Sequence, residues 1–205
     1  MGLDYSYILY FNKEDMWTAL QAVVDIAVPH HPPTKILLPD RQILIPLETW
    51  SWNNRVLDIN HPDIDFMTSI YFEEDDAIFD YLTTIRADVQ FRSPPEDEIN
   101  PKIPIGYIYL TIRNENSSFF NSFDAKNIVA FDFGTTGTKM SMLFYYSESI
   151  RQTFITLLER VPGICGVFNN EEYGHVFWYK GRNCDYEVDN PFLPPAEIKK
   201  QLNLE

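Results

Sequence analysis

The residues best equipped for chemistry stand together in Asp132-Phe133-Gly134-Thr135-Thr136-Gly137-Thr138-Lys139, directly after the apolar Val129-Ala130-Phe131. A carboxylate closes a predicted strand, a turn of glycine and threonine follows, and an ammonium group ends the run. Such a turn lets backbone N–H groups and hydroxyls approach a phosphate. A purely local reading competes with this one. It has a strand, a Gly-Thr turn and a short helix through Met140, Leu143 and Phe144, capped by Thr135 or Thr136. The pattern over 138–146 suits a strand as well as a short helix.

Other reactive or adhesive side chains are scattered. Glu73-Glu74-Asp75-Asp76 puts four carboxylates where a helix is expected to begin, and the helix dipole favours negative charge there. It is also the first place to look for a surface that takes a cationic partner. Trp50 and Trp52 lie in a polar setting, where two rings can stack on a partner or close the edge of a core. His61-Pro62-Asp63-Ile64-Asp65 carries metal-binding residue types at alternating positions, yet histidine and aspartate are ordinary turn formers. No second cluster with zinc-like spacing accompanies it. A carboxylate/histidine enzyme would need His61, Asp63 and His175 to converge in space. No catalytic residue, metal or cofactor is assigned from these patterns.

The 132–139 loop closely resembles the first phosphate-binding loop of the sugar kinases in the actin-like ATPase superfamily. That resemblance implies Mg²⁺ positioned by Asp132 and ATP phosphates held at Gly134, Thr135, Thr136 and Lys139. The same superfamily carries a second phosphate loop and an adenosine pocket further along the chain. Residues 139–205 show no second Asp-Gly-rich loop. A phosphate- or nucleotide-handling enzyme is therefore the alternative reading.

The elements that must position these groups follow one repeated phrase: an apolar, aromatic-rich run, a polar cap and an amphipathic helix. Residues 5–11 read as a strand, with Asn12 capping a helix that runs to about Val28, where Pro29 stops it. Met16, Leu20, Val23, Val24 and Ala27 give this helix one apolar stripe. His30-His31-Pro32-Pro33 is a stiff connector. Residues 35–38 and 43–47 flank a Pro39-Asp40 turn as a hairpin. The phrase returns at 68–72, and Ile78, Tyr81, Leu82 and Ile85 form the stripe of a second helix. Residues 104–112 alternate as a central antiparallel strand, and 128–133 as another. A third helix is expected from Ser149, with Gln152 completing a capping box, and Pro162-Gly163 ends it. Residues 164–168 and 175–179 form a terminal hairpin, with a short helix at 196–202.

The predicted fold class is α+β: a mainly antiparallel sheet with three helices, starting near 13, 74 and 149, on one face. Split β-α-β units of the ferredoxin-like kind fit the phrases. Residues 1–205 form a single domain, which the proline-rich acidic stretch 93–101 divides into two similar halves, 1–92 and 102–190.

Thirty acidic residues against sixteen basic ones give a formal charge of −14, which disfavours nucleic acid and anionic membrane as partners. A basic protein partner suits that charge, as does solubility alone. The start of the sequence has no secretory pattern, no apolar run is long enough to cross a bilayer, and Cys165 and Cys184 are the only cysteines. A cytoplasmic protein with free thiols is expected.

The opening Met-Gly-Leu-Asp-Tyr-Ser-Tyr, the Leu-Pro-Asp turn at 38–40 and the region from Ser141-Met142 to Arg151 resemble an uncharacterised family of bacterial cytoplasmic proteins. The resemblance brings no established activity. It implies that the heptapeptide belongs to the fold and makes Asp4 and Tyr5 candidate site residues. The favoured functional reading is an acidic binding or regulatory protein of the inhibitor or immunity kind. Its oligomeric state is open.

Overall fold

Strand β1 (Ser6–Asn12) sits inside the sheet, with antiparallel neighbours on both sides, and its first six residues are buried. Its alternate side chains serve two cores. Tyr7, Leu9 and Phe11 join one apolar cluster, while Ile8 and Tyr10 join another behind the sheet. That double burial explains the unbroken apolar run of the opening phrase. The computed structural model describes residues 2–38, 41–49, 56–58, 61–86, 102–120, 123–135 and 137–203.

Around β1, the described residues build a seven-stranded sheet in which every pairing is antiparallel. One side of β1 carries β7 (Ile128–Gly134), then β6 (Lys102–Arg113), then β5 (Asp63–Glu73) at the edge. The other side carries β8 (Cys165–Asn169), β9 (Gly174–Tyr179) and β10 (Arg182–Val188). A small second sheet places β2 (Thr34–Leu37) between β3 (Gln42–Ile45) and β4 (Val56–Asp58). Helices α1 (Met16–Val24), α2 (Asp76–Arg86), α3 (Thr138–Tyr146) and α4 (Glu148–Arg160) all contribute to the first core. Phe154 of α4 lies at its centre, stacked on Tyr7 at 4.6 Å and tilted against Phe133 at 4.8 Å between ring centroids. Burying side chains of this size contributes about 1.5–3 kcal/mol each.

Helix α5 (Pro195–Leu202) lies on the opposite face, where Ile198 joins Ile8, Ala130, Cys165 and Val167. The expectation of helices on one face holds for α1, α2 and α4, and α5 adds a cover to the other. One split β-α-β arrangement is present: β7 and β8 flank β1, run parallel to each other, and are joined through α3 and α4. Helix α2, by contrast, joins the antiparallel neighbours β5 and β6. Residues 1–92 supply β1 and β5 to this sheet, while 102–190 supply its other strands.

Several local expectations change. The first helix is short: the strand continues through Asn12, a 3-10 turn covers Lys13–Asp15, and α1 ends at Val24 rather than near Val28. Asn12 makes no cap and instead donates to Asp15 Oδ2 at 3.2 Å. The helix gives way because Ile26 and Val28 pair with β5: Tyr71 N–H donates to the Ile26 carbonyl and Val28 N–H to that of Ser69, both at 2.8 Å. Residues 138–146 are helical. The cap of α4 is Ser147, whose hydroxyl accepts from Ile150 N–H at 3.1 Å, while Ser149 donates its hydroxyl to the Glu73 carbonyl. Pro39-Asp40, Trp50, Trp52, Thr136 and the 93–101 stretch lie outside the described residues.

Candidate functional site

A groove of about 520 Å³ runs between α2 and α3. Tyr81, Met142, Leu143 and Tyr146 supply its apolar surface, and Asp76 and Asp80 carry charge on the α2 side. Lys139 lies across from them on α3. Tyr146 is 64% exposed, so a large aromatic face is open to a partner. The floor of the groove is held by Leu143 and by Met140 beneath it, whose sulfur accepts from the Tyr81 hydroxyl at 2.7 Å.

The acidic run beside the groove divides by role. Asp75 is structural: Oδ1 accepts from Ile78 N–H at 2.9 Å and caps α2, while Oδ2 accepts from the Ser147 hydroxyl and from Ser149 N–H. One carboxylate thereby anchors the starts of both α2 and α4. Glu73, Glu74 and Asp76 are exposed, and Asp76 is the member that reaches the groove.

The 132–139 loop is assembled differently from a phosphate cradle. Strand alternation sends Phe131 and Phe133 toward α4 and turns Asp132 to the other side of the sheet. There Arg113 donates Nη2–H to Asp132 Oδ2 at 2.9 Å, and the Asp132 side chain is only 13% exposed. Burial raises its pKa above the ordinary aspartate value, opposed by the Arg113 charge and hydrogen bond and more weakly by Ser6. Asp132 Oδ1 and the Tyr10 hydroxyl are both buried in this layer and find no hydrogen-bond partner among the described residues. Asp63 approaches Arg113 at 3.7 Å and accepts from the Ser117 hydroxyl, which places it in the same polar patch.

Thr135, on the helix side of the sheet, is engaged by the chain's own start. Its N–H and its hydroxyl both donate to the Tyr5 carbonyl, and the hydroxyl also meets that of Ser141 at 3.0 Å. Ser141 in turn donates to the Leu3 carbonyl and accepts from Tyr5 N–H. Gly137 takes the left-handed φ of 91° at the entry to α3, and a side chain placed on Gly2 would come within 3.6 Å of it. Carboxylate, hydroxyls and Lys139 thus face three different environments: a buried ion pair, the N-terminal segment and the α2–α3 groove.

Asp4 and Tyr5 are placed by this same contact. Asp4 N–H donates to Glu171 Oε1 at 2.9 Å, and the Tyr5 ring meets Phe168 edge-on at 5.7 Å. Burial first, then Glu171 and Glu172, raises the Tyr5 phenol pKa. The histidines do not converge. His61 folds back on Asp63, while His175 lies on β9, five strand spacings or roughly 24 Å from β5. Among the described residues no group of three or more His, Cys, Asp or Glu side chains is arranged to hold a metal. Cys165 and Cys184 are unpaired; burial raises both thiol pKa values, that of Cys184 to about 11. Of the groove residues on α3, the sequence pattern singles out Lys139 as a candidate site residue, whereas Arg113, Met142 and Tyr146 carry no motif of their own. Arg113 ends a strand two residues before Glu115, which pairs with Lys13 instead, and nothing local announces Asp132 as its partner.

No family model matches this chain, and neither does any curated protein or solved structure. No helix among the described residues is long and apolar enough to cross a membrane.

Proposed function

We propose that this chain is an acidic binding or regulatory protein whose α2–α3 groove receives a basic amphipathic helix of a partner protein. The observation that carries the reading is the groove itself: an open apolar surface including Tyr81, Met142 and Tyr146, with Asp76 and Asp80 along one side. Helix-in-groove recognition needs an apolar floor for anchor residues and charge at the rim for orientation. The formal charge of −14 favours a cationic occupant and speeds its encounter. An inhibitor of a basic protein, or an immunity-like neutraliser, is the class of role that suits such a surface, by analogy alone. For the nucleotide alternative, the hydrogen bonds from Thr135 and Ser141 to the N-terminal segment are unfavourable, because that segment takes the hydroxyls a phosphate would need.

Titration with a leucine/lysine amphipathic peptide, followed by amide NMR shifts, tests the proposal. Saturable shifts confined to α2 and α3, weakened at least about tenfold by Asp76→Lys/Asp80→Lys, are expected. Equal binding of a leucine/glutamate peptide, or shifts elsewhere, would refute it.

A further inference from the structure

On the far side of α3 from the groove, a separate small pocket of about 160 Å³ opens between α4 and β9. Tyr7, Phe168 and Phe177 form aromatic walls, Tyr145 stands at 47% exposure, and Arg151 and His175 supply nitrogen donors. The walls belong to one aromatic assembly, with Tyr7 4.8 Å from Phe168 and 5.4 Å from Phe177 between ring centroids. The Tyr7 hydroxyl is already committed to the Phe144 carbonyl, so this side chain offers the pocket its ring rather than its oxygen.

Arg151 is the unusual member. Its Nε is buried, and among the described residues it has no hydrogen-bond partner and no carboxylate lies within ion-pair distance of the guanidinium. The nearest acid along the wall, Asp185, is 85% exposed and lies 3.8 Å from His175 instead. A guanidinium held against aromatic walls loses hydration, and a bidentate anion is the partner that its planar fork fits best. The aromatic walls call for a flat apolar body on that anion. The volume is well below the roughly 300–1,000 Å³ of drug-sized sites, which limits the ligand to about one ring.

We propose that the Arg151 pocket binds a small aromatic carboxylate, its carboxylate on the Arg151 guanidinium with His175 as a further donor, and its ring laid against the Tyr145–Phe168 pair, whose rings already touch at 6.0 Å between centroids. This site is independent of the α2–α3 groove and stands or falls separately from it.

Benzoate is the probe, with benzamide as the neutral analogue of the same shape and acetate as the anion without a ring. Protein-observed NMR should show saturable benzoate binding that shifts Arg151, Phe168 and His175, with benzamide and acetate at least about tenfold weaker. Arg151→Gln should weaken benzoate by a similar factor while the melting temperature shows it folded. Tyr145→Ala, at an exposed position, supplies a second variant and should weaken benzoate several-fold. Absence of saturable benzoate binding, equal affinity for benzamide, or undiminished binding by a folded Arg151→Gln protein would overturn the assignment.

Discussion

Asp75 and Ser147 are 72 residues apart in sequence and meet in a 2.8 Å hydrogen bond, the Ser147 hydroxyl donating to Asp75 Oδ2. Each is also the cap of its own helix, Asp75 for α2 and Ser147 for α4. The pair fixes where two helices begin relative to each other, and through α2 it sets one wall of the groove.

Asp75→Ala should therefore destabilise the protein by about 2–3 kcal/mol, one cap plus charge-assisted hydrogen bonds to the start of α4. Glu74→Ala, at the exposed neighbour, should fall within about 0.5 kcal/mol of the parent. Urea unfolding of the two variants separates them. Equal small losses would mean that the acidic run acts only through its charge.

The Arg113–Asp132 pair should give a pH-dependent signature. The Asp132 pKa is raised in the folded state, so its protonated form is favoured by folding. Its effect on stability is absent below the unfolded value near 3.8 and becomes increasingly unfavourable as pH rises from there through the raised folded value. Arg113→Leu leaves a largely buried carboxylate without its counter-charge and should cost about 3–5 kcal/mol at neutral pH. That deficit should shrink on acidification, when Asp132 takes up a proton. Denaturation at pH 4 and pH 7 checks this; a deficit independent of pH would place the cost in lost packing instead.

ATP with Mg²⁺ should leave the melting temperature unchanged, because Thr135 and Ser141 are occupied by the Leu3 and Tyr5 carbonyls. A ligand at a hundredfold excess over its dissociation constant would add about 2.7 kcal/mol and be plainly visible. Thr135→Val should cost about 1–2 kcal/mol and speed amide exchange at Tyr5, whose N–H is held by Ser141. A saturable ATP shift abolished by Asp132→Asn would restore the kinase-like reading.

Neither thiol should form a disulfide in the native protein. Cys165 is fully buried and should resist alkylation until the chain unfolds, whereas Cys184 is partly accessible and should react slowly. Its rate should climb with pH toward about 11, since the thiolate is the reacting species. Mass measurement after timed alkylation at pH 7 and pH 9 checks both statements. Alkylation of either thiol only after reduction would point to a bond between them.

Periodicity and composition, which are local, already specified the strands around Leu9, Leu110 and Phe131 and the stripes of α2 and α4. They missed β10, whose Arg182–Val188 residues are mostly exposed and carry no apolar alternation to betray an edge strand. A capping box with Gln152 points to Ser149 as the cap of α4; the cap is Ser147, whose hydroxyl is also held by Asp75, a residue the neighbouring sequence does not contain. Tertiary structure alone decided that β1 lies between β7 and β8, that Asp132 faces Arg113, and that Thr135 holds the chain's own beginning. Those outcomes depend on which distant strands pair and on which face each side chain then lands. Pairing across such distances is set by the summed burial of the whole sheet, which no single stretch of the sequence encodes.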